Sequence, residues 1–410
     1  MNRLPISLDE LDTVGAVALL STDEARALVA TDLVEARPES PGSWRLLPNG
    51  RVGAVRVGDV QVEVRPKEKV GLAHLLFLLG YAKDPGFRPE LVHGEEDDDL
   101  WPALAHSLVQ SVTRALSHGV VQGYRTTDEA LRTIRGRIRF DDQIRSRPGM
   151  LMPIEVTFDD FSVDTAENRI LRAALRAMLR VPRLGDDVRR RLLHLDGRLD
   201  GVTVLPAGAP APNWVPSRLN ERYQPALRLA EIVLRHGSAK TGESGIQVAS
   251  FVVVMWKVFE DFVTTALTEA LAKVPGRTQA QLQAYLAGSG DWQRGTVPMN
   301  VDVVHRDAKG RPVVVFDAKY KVASATGQYA NADHYQMLAY CTALEVPRAW
   351  LIYAGGGDTA RVRKIKNTGI DVVECPLDLS RAPAQILERV QLIAMIATPD
   401  ISIGRANKGS

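Results

Sequence analysis

Residues 299–321 read MNVDVVHRDAKGRPVVVFDAKYK, and this stretch decides the fold of the C-terminal part of the chain. Two apolar runs flank the turn-forming residues 307–310, which predicts two antiparallel strands joined as a hairpin. Side chains alternate between the faces of a strand, so Asp317 and Lys319 share one face where the second strand ends. A buried strand that ends in an acid and a base indicates a functional site.

The length of the hairpin loop determines whether Asp302 joins that face. If the turn is Lys309-Gly310, Asp302 lies directly opposite Asp317. If all of residues 307–310 form the loop, Asp302 opposes Val315 and is diagonal to Asp317. Either even-numbered loop puts both aspartates on one face, whereas an odd-numbered loop without a bulge separates them.

Two carboxylates that converge at the edge of a sheet repel each other, and burial favours protonation of at least one of them. A divalent cation removes the repulsion, and Mg²⁺ prefers carboxylate oxygens together with waters. The ammonium group of Lys319 can then orient or help to deprotonate a water that attacks phosphorus, while the cation offsets charge on the phosphate oxygens. Asp302, Asp317 and Lys319 therefore indicate phosphodiester hydrolysis.

The D…DxK arrangement resembles the core of the PD-(D/E)xK nucleases, although Asn300-Val301 replace the proline of the motif. Gln336 and Tyr340 lie four residues apart on one helix face and resemble the QxxxY motif of the RecB-like branch of that superfamily. In MWKVFEDFV, Glu260 occupies the place where such nucleases often carry a helix glutamate near the metal. An isolated DxK is usually the end of a surface strand, and the ordered set of motifs is more specific.

This resemblance implies a role for each matching residue. The expected catalytic residues are Asp302, Asp317, Lys319 and Gln336. The expected ligands of Mg²⁺, for which Mn²⁺ can substitute, are Asp302, Asp317 and Glu260. Tyr340, Lys321 and Arg306 are candidates for DNA binding or support of the site, with simple packing or solvation as the alternative.

Composition limits the other possibilities. The 410 residues are 45% apolar and 24% charged, and the formal net charge is +2, so any contact with nucleic acid must come from local basic patches. The two cysteines, Cys341 and Cys375, form no CxxC pair. The N-terminus lacks the apolar segment of a signal peptide, and no apolar run is long enough to span a bilayer. These features predict a cytoplasmic protein.

Periodicity predicts an α+β multidomain fold in three regions. Residues 1–68 are β-rich, residues 69–240 are mainly helical with a basic strand near 132–140, and residues 245–400 form a mixed α/β core, which the resemblance to PD-(D/E)xK nucleases implies is the endonuclease domain. The last region is expected to open with a helix over 252–271. In the basic strand, alternation would place Arg135, Arg137 and Arg139 on one face.

The order of sequence blocks also resembles the McrC family, the nuclease subunits of modification-dependent restriction systems. The blocks are EVRPKEKVGLAHLLFLLGYA, GYRTTDEALRTIRGRIRF, FSVDTAENRILRAALRAML and RYQPALRLAEIVL, followed by the FEDFV helix and the DAKYK hairpin. The resemblance implies a DNA endonuclease that acts in phage defence with a separate AAA+ GTPase, McrB. In that family the N-terminal half docks into the motor and stimulates its GTPase, while the C-terminal half cuts DNA.

By the same analogy, Arg135, Arg137 and Arg139 are candidates for contacting the motor or DNA, and an exposed basic strand is the alternative. The sequence contains no GxxxxGK[ST] motif, which agrees with a separate motor. Two further functions stay open: an inactive adaptor that activates a partner NTPase, and a stand-alone RecB-like repair nuclease.

Overall fold

The computed structural model describes residues 5–66, 70–83, 100–181, 184–206, 208–241, 247–286, 297–320, 331–357 and 359–398. The chain divides into two compact units, one formed by residues 1–100 together with 250–410 and the other by residues 101–249. Both units combine helices and strands, so the predicted α+β class is confirmed. The assignment of separate functions to three regions stays a prediction.

The N-terminal part of the first unit is rich in strands, as expected. Its elements are β1 (Ile6–Asp9), β2 (Ala16–Leu19), α1 (Thr22–Val29), β3 (Val34–Ser40), β4 (Ser43–Pro48), β5 (Val52–Val57) and β6 (Val60–Arg65). Strands β5 and β6 form an antiparallel hairpin, and β1 pairs with β6 in parallel. Helix α1, which no sequence pattern predicted, begins at a capping box formed by Ser21 and Glu24.

The second unit contains the predicted helices and a small sheet that was not predicted. The helices are α3 (Leu100–Ala115), α4 (Phe140–Ser146), α5 (Ala166–Leu179), α6 (Asp186–Arg198) and α7 (Gln224–His236). The strands of this sheet are β7 (Gly123–Leu131), β8 (Arg137–Ile138) and β9 (Ile154–Ser162), and β10 (Gly237–Thr241) is a strand outside it. Strand β9 lies between β7 and β8 and pairs with both in antiparallel fashion.

The predicted basic strand near 132–140 is wrong, because the observed strand is much shorter. Only Arg137–Ile138 is a strand, and α4 begins at Phe140. Gly136 has a φ of +72°, and a Cβ added there would lie 2.2 Å from the carbonyl oxygen of Thr157. The chain therefore turns at Gly136 where it approaches β9, and the side chains from 132 to 140 do not alternate as they would along one strand.

The C-terminal part of the first unit is built around a six-stranded sheet with the order β12-β13-β14-β15-β17-β16. These strands are β12 (Arg277–Tyr285), β13 (Pro298–Arg306), β14 (Pro312–Lys319), β15 (Arg348–Ala354), β16 (Arg361–Lys364) and β17 (Asp371–Leu377). Strands β12, β13 and β14 are antiparallel neighbours, whereas β14, β15 and β17 run parallel. This arrangement is the mixed α/β core predicted for the region.

Four helices and one further strand complete this unit. They are α2 (Leu72–Tyr81), β11 (Gln247–Val253), α8 (Met255–Leu271), α9 (Asn331–Leu344) and α10 (Pro383–Ala397). The expected helix over 252–271 starts too early, because the valine run ends β11 and the helix begins at Met255. β-Branched residues favour a buried strand over a helix, which accounts for the difference.

Two helices that pack on the sheet matter for the site. From α9, Met337 and Tyr340 pack into a core with Val315, Leu351 and Tyr353 of β14 and β15. Helix α8 packs on β12, β13 and β14. Helix α2 packs on α8 in the same unit, with the rings of Phe77 and Phe262 centred 5.5 Å apart. Among the described residues, no helix is long and apolar enough to cross a membrane.

Candidate nuclease site

The hairpin of β13 and β14 places Asp302 opposite Asp317. Val303 pairs with Phe316 and Val304 with Val315, and the same register continued by one residue pairs the two aspartates. The loop is neither of the two expected: it spans residues 307–311, an odd number. A β-bulge between His305 and Arg306 compensates for the odd length and keeps both carboxylates on one face.

Both aspartates are buried and have close polar partners. Asp302 is 8% exposed and Asp317 is 1% exposed. The backbone N–H of Ala318 donates to Oδ2 of Asp302 at 2.8 Å. The Nζ of Lys319 lies 2.5 Å from Oδ2 of Asp317. The acid–base group predicted from DAK is therefore assembled, with the lysine paired to one of the two acids.

Burial raises the pKa of both carboxyl groups. The pKa of Asp302 is raised to about 7, first by burial and then by the Asp317 carboxylate. The pKa of Asp317 is raised to about 6 by burial, although the charge and hydrogen bond of Lys319 oppose this increase. A site that holds its carboxylates in this way favours an added positive charge.

Glu260 of α8 lies within electrostatic reach of the pair. The Nε2 of Gln281 on β12 donates to Oε1 of Glu260 at 3.0 Å and makes a long contact of 3.5 Å with Oδ1 of Asp302. The negative charge of Glu260 contributes to the raised pKa of both Asp302 and Asp317. The structure thus links the helix glutamate to the aspartates through a glutamine that the sequence analysis did not single out.

Gln336 and Tyr340 form a hydrogen-bonded chain to the neighbouring strand. The Nε2 of Gln336 donates to Oη of Tyr340 at 2.5 Å, and Tyr340 donates to the carbonyl oxygen of Asn300 at 2.5 Å. Burial raises the pKa of Tyr340, so its hydroxyl stays protonated as a donor. This chain of hydrogen bonds ends on the backbone of β13 two residues before Asp302, and the expected role of Gln336 in catalysis stays a prediction.

Asp333 is a buried acid that the sequence analysis missed. It lies in the first turn of α9 and is 3% exposed. Its Oδ2 accepts a hydrogen bond of 3.2 Å from Oη of Tyr353, the residue of β15 that pairs with Lys319. Its charge also contributes to the raised pKa of Asp317. The only signal in the sequence is its spacing of three residues before Gln336, on the same helix face.

The remaining predicted residues lie apart from this group or outside the described chain. The Nη1 of Arg306 donates to the carbonyl oxygen of Gly310 at 3.1 Å, within the hairpin loop. Lys321 lies outside the described residues. Arg306 therefore helps to fix the loop, and its expected role in DNA binding stays a prediction.

The three arginines proposed for partner binding belong to the second unit. Arg135 lies over the ring of Phe158 at 4.4 Å and pairs with Asp160 at 3.3 Å. Arg139 pairs with Asp142 and, at 3.5 Å, with Asp128. Arg137 is exposed in the short strand β8. Two of the three charges thus already have acidic neighbours, on a turn rather than a continuous strand.

The carboxylate pair fits a divalent cation of the magnesium type. No group of three or more His, Cys, Asp or Glu side chains forms a ready metal site in the described ranges. Mg²⁺ does not need such a group, because proteins commonly hold it with one or two carboxylates and leave its other positions to water and substrate phosphates. The hard oxygen donors of Asp302 and Asp317 match this requirement.

Comparison with known proteins places the whole arrangement in a family. Residues 47–354 match the family model described as "McrBC 5-methylcytosine restriction system component". The chain belongs to this McrBC family. The matched range begins in β4 and ends with β15, so it includes Asp302, Asp317 and Lys319.

Individual relatives agree with the family. The chain is 22% identical over 303 residues to the "Type IV methyl-directed restriction enzyme EcoKMcrBC" of Escherichia coli K12, a match that covers 69% of this chain and 85% of the relative. A structure of Thermococcus gammatolerans McrB AAA+ hexamers with bound McrC matches with a TM-score of 0.57 and 19% identity, covering 87% of this chain and 84% of the other. The fold is therefore that of the McrBC family.

Proposed function

We propose that the chain is the DNA endonuclease subunit of a McrBC-like restriction complex and hydrolyses phosphodiester bonds with Mg²⁺. One observation carries the proposal: two buried carboxylates, Asp302 and Asp317, face each other across a hairpin, with the Lys319 ammonium group 2.5 Å from one of them. Membership of a restriction-system family supports DNA as the substrate.

In this proposal each side chain has a defined task. Asp302 and Asp317 would hold the cation, and Glu260, which contacts Asp302 only through Gln281, would have to move toward the pair to add a third oxygen donor; Mn²⁺ can replace Mg²⁺. When bound, the cation offsets negative charge on the phosphate oxygens and polarises phosphorus. The Lys319 ammonium orients the attacking water by a hydrogen bond and stabilises the negative charge that develops on its oxygen. The water oxygen forms a bond to phosphorus and loses its proton to bulk solvent, the P–O ester bond breaks, and the leaving oxygen takes up a proton from solvent.

The partner in this proposal is a McrB-like AAA+ GTPase. McrC is bound to McrB hexamers in the Thermococcus gammatolerans complex, whose fold this chain shares, and the chain's own sequence has no GxxxxGK[ST] motif. The second unit offers a surface for docking. Tyr124 and Phe161 are exposed with rings centred 5.0 Å apart, and Phe140, Ile144 and Leu151 are exposed nearby in the sequence.

The proposal is tested by cleavage of methylated and unmethylated DNA with Mg²⁺, by this chain with and without the partner GTPase. Asp317→Asn is expected to abolish cleavage and to leave partner binding and GTPase stimulation intact. Asp261→Asn is the matched control, because Asp261 is an exposed acid next to Glu260. Cleavage at the wild-type rate by Asp317→Asn would show that the site is elsewhere.

The same experiment separates the two alternatives. An adaptor without nuclease activity stimulates the GTPase but yields no Mg²⁺-dependent cleavage under any condition. A stand-alone repair nuclease cuts DNA fully without the partner. A buried pair of acids that repel each other lowers the stability of the fold, so it has no use in a protein without nuclease activity. The presence of Asp302 and Asp317 together with Lys319 therefore favours an active nuclease over the adaptor.

A further inference from the structure

A basic groove in the second unit has no part in the hydrolytic site. Helices α3 and α6 form its walls, and its volume is about 780 Å³. Its floor includes the buried side chains of Val109 and Leu195. Polar and charged side chains from both helices form its rim, so the groove has an apolar floor and a charged opening.

Helical spacing brings the basic side chains to the groove. On α6, Arg198 follows Arg191 by seven residues and Arg190 by eight, which brings all three to the side of the helix that lines the groove. Arg114, in the last turn of α3, faces the same groove from the other wall. His194 lies between the arginines of α6. Basic residues thus lie on both sides of the opening.

Acidic neighbours do not neutralise this charge. Among the residues that the structure describes, Asp187 is the one acid that lines the groove, and it lies 2.9 Å from Arg191 and 3.6 Å from Arg190. These pairs are exposed to solvent, so their attraction is weak. In the part of the chain that the structure describes, the guanidinium of Arg114 has no hydrogen bond or ion pair. Four arginines against one aspartate leave a local charge of about +3 when His194 is neutral.

The groove is also held in shape by one of its own arginines. The Nη2 of Arg198 donates to the carbonyl oxygen of Leu116 at 2.6 Å. This bond ties the last turn of α6 to the residue that follows α3. The two walls are therefore fixed relative to each other at one end, and the positions of Arg114 and Arg190 across the groove follow from the packing of the helices.

The chemistry of the groove selects a polyanion with phosphate groups. Guanidinium groups bind phosphate oxygens through a planar set of donors. A groove with charge of one sign and low-dielectric walls concentrates anions near its opening. Because the charges extend along a helix face instead of converging on one point, they suit a chain of phosphates better than a single one.

We propose that the groove between α3 and α6 binds the phosphodiester backbone of duplex DNA without sequence preference. The proposal rests on the proposed function only in naming DNA as the polyanion. It adds a contact to DNA that is separate from the residues that carry out hydrolysis.

The test measures how tightly the full-length chain binds a fluorescently labelled, unmethylated DNA duplex in EDTA. Fluorescence anisotropy gives the affinity at each of several salt concentrations. The double substitution Arg114→Gln with Arg190→Gln removes two charges. It is expected to weaken binding about tenfold and to reduce the slope of log affinity against log salt by about two, since each lost phosphate contact removes about 0.9 from the slope.

Two further variants serve as controls. Arg189→Gln changes an exposed arginine of α6 whose Nη1 contacts the carbonyl oxygen of Leu179 at 3.4 Å, outside the groove. Arg189→Gln is expected to show the wild-type slope of log DNA affinity against log salt. The double substitution Arg114→Lys with Arg190→Lys keeps the charge and should retain most of the slope. Thermal unfolding of all variants checks that each one folds.

Several outcomes would overturn the proposal. One is that the folded double variant Arg114→Gln with Arg190→Gln keeps the wild-type slope of log affinity against log salt. Another is that this variant loses binding to the partner GTPase while its DNA binding stays intact. A third is that the substitutions weaken the binding of pyrophosphate or GTP but leave DNA binding unchanged. That result would show that the groove binds a small phosphate ligand instead of DNA. The nuclease proposal fails separately: a wild-type chain that never cuts DNA leaves the binding measurement in EDTA unaffected.

Discussion

Asp302 lies directly opposite Asp317 because a β-bulge after His305 compensates for a hairpin loop of odd length. Asp307 stabilises that loop, since its Oδ1 accepts from the backbone N–H groups of Lys309 and Arg311, both at 2.9 Å. The convergence of the two acids therefore depends on the conformation of the loop as well as on strand alternation.

The acid pair makes stability fall as pH rises in the absence of a metal ion. Between the ordinary carboxyl pKa and the raised values of about 7 for Asp302 and about 6 for Asp317, the folded chain keeps protons that the unfolded chain has released. This contribution is therefore favourable at the acidic end and is lost toward pH 7. Asp302→Asn should raise the free energy of unfolding at pH 8 in EDTA by about 1–3 kcal/mol.

Urea unfolding at pH 5 and pH 8 measures this effect. The difference between Asp302→Asn and the wild type should be small at pH 5 and larger at pH 8, and Mg²⁺ should stabilise the wild type more than the variant. Asp261→Asn is the control for an exposed acid. A variant that is equally destabilised at both pH values would contradict the raised pKa of Asp302.

Lys319 is expected to be needed for cleavage and not for DNA binding. Lys319→Ala removes the ammonium group from Asp317 and should lower the rate of cleavage about 100-fold or more, the usual range for loss of a donor that stabilises charge developing in the transition state. Single-turnover cleavage with Mg²⁺ measures the rate. Lys257→Ala, an exposed lysine on α8, should cut normally. Equal rates for the two variants would remove Lys319 from the mechanism.

Asp333 is expected to shift the pH dependence of cleavage. Its negative charge raises the pKa of Asp317, so Asp333→Asn should lower that pKa and move the rising limb of the pH–rate profile to lower pH. Tyr353→Phe removes the hydrogen bond to Asp333 but keeps the charge, so its profile should shift less. A shift in the opposite direction for Asp333→Asn would rule out the electrostatic effect.

Tyr340 is expected to stabilise the fold around Asn300. Tyr340→Phe leaves the side chain of Gln336 and the carbonyl oxygen of Asn300 without their shared partner, and should lower the free energy of unfolding by about 1–2 kcal/mol. Tyr335→Phe on the same helix is the control, because Tyr335 is 69% exposed. Denaturant unfolding distinguishes the two. Equal stability of both variants would show that the hydrogen-bonded chain contributes nothing.

The sequence predicted the hairpin and α9 well because both have strong local patterns. Alternation placed Asp317 and Lys319 on one face, Asp302 shares that face because the bulge after His305 offsets the odd loop, and α9 carries Gln336 and Tyr340 on one helix as expected. Asp333 and Gln281 were missed because their proximity to the aspartates depends on how separate elements pack, which no local pattern reports.

Local patterns failed where packing overrides them. GYRTTDEAL gave no clear strand signal, yet it pairs along its whole length with β9. The valine run before Met255 suggested an early helix start, and pairing in a sheet explains why it is a strand instead. At Gly136 a positive φ interrupts an apparently alternating stretch, so the predicted row of arginines does not form.

The residues of the candidate site occupy a short span of the chain. Asp302, Asp317, Lys319, Asp333, Gln336, Tyr340 and Tyr353 all fall within residues 298–354, from the start of β13 to the end of β15. Among the described site residues, Glu260 and Gln281 alone come from earlier elements, and β16, β17 and α10 follow the site. Recombination that exchanged this single segment between relatives would therefore transfer nearly the whole site, while the ends of the chain could diverge independently.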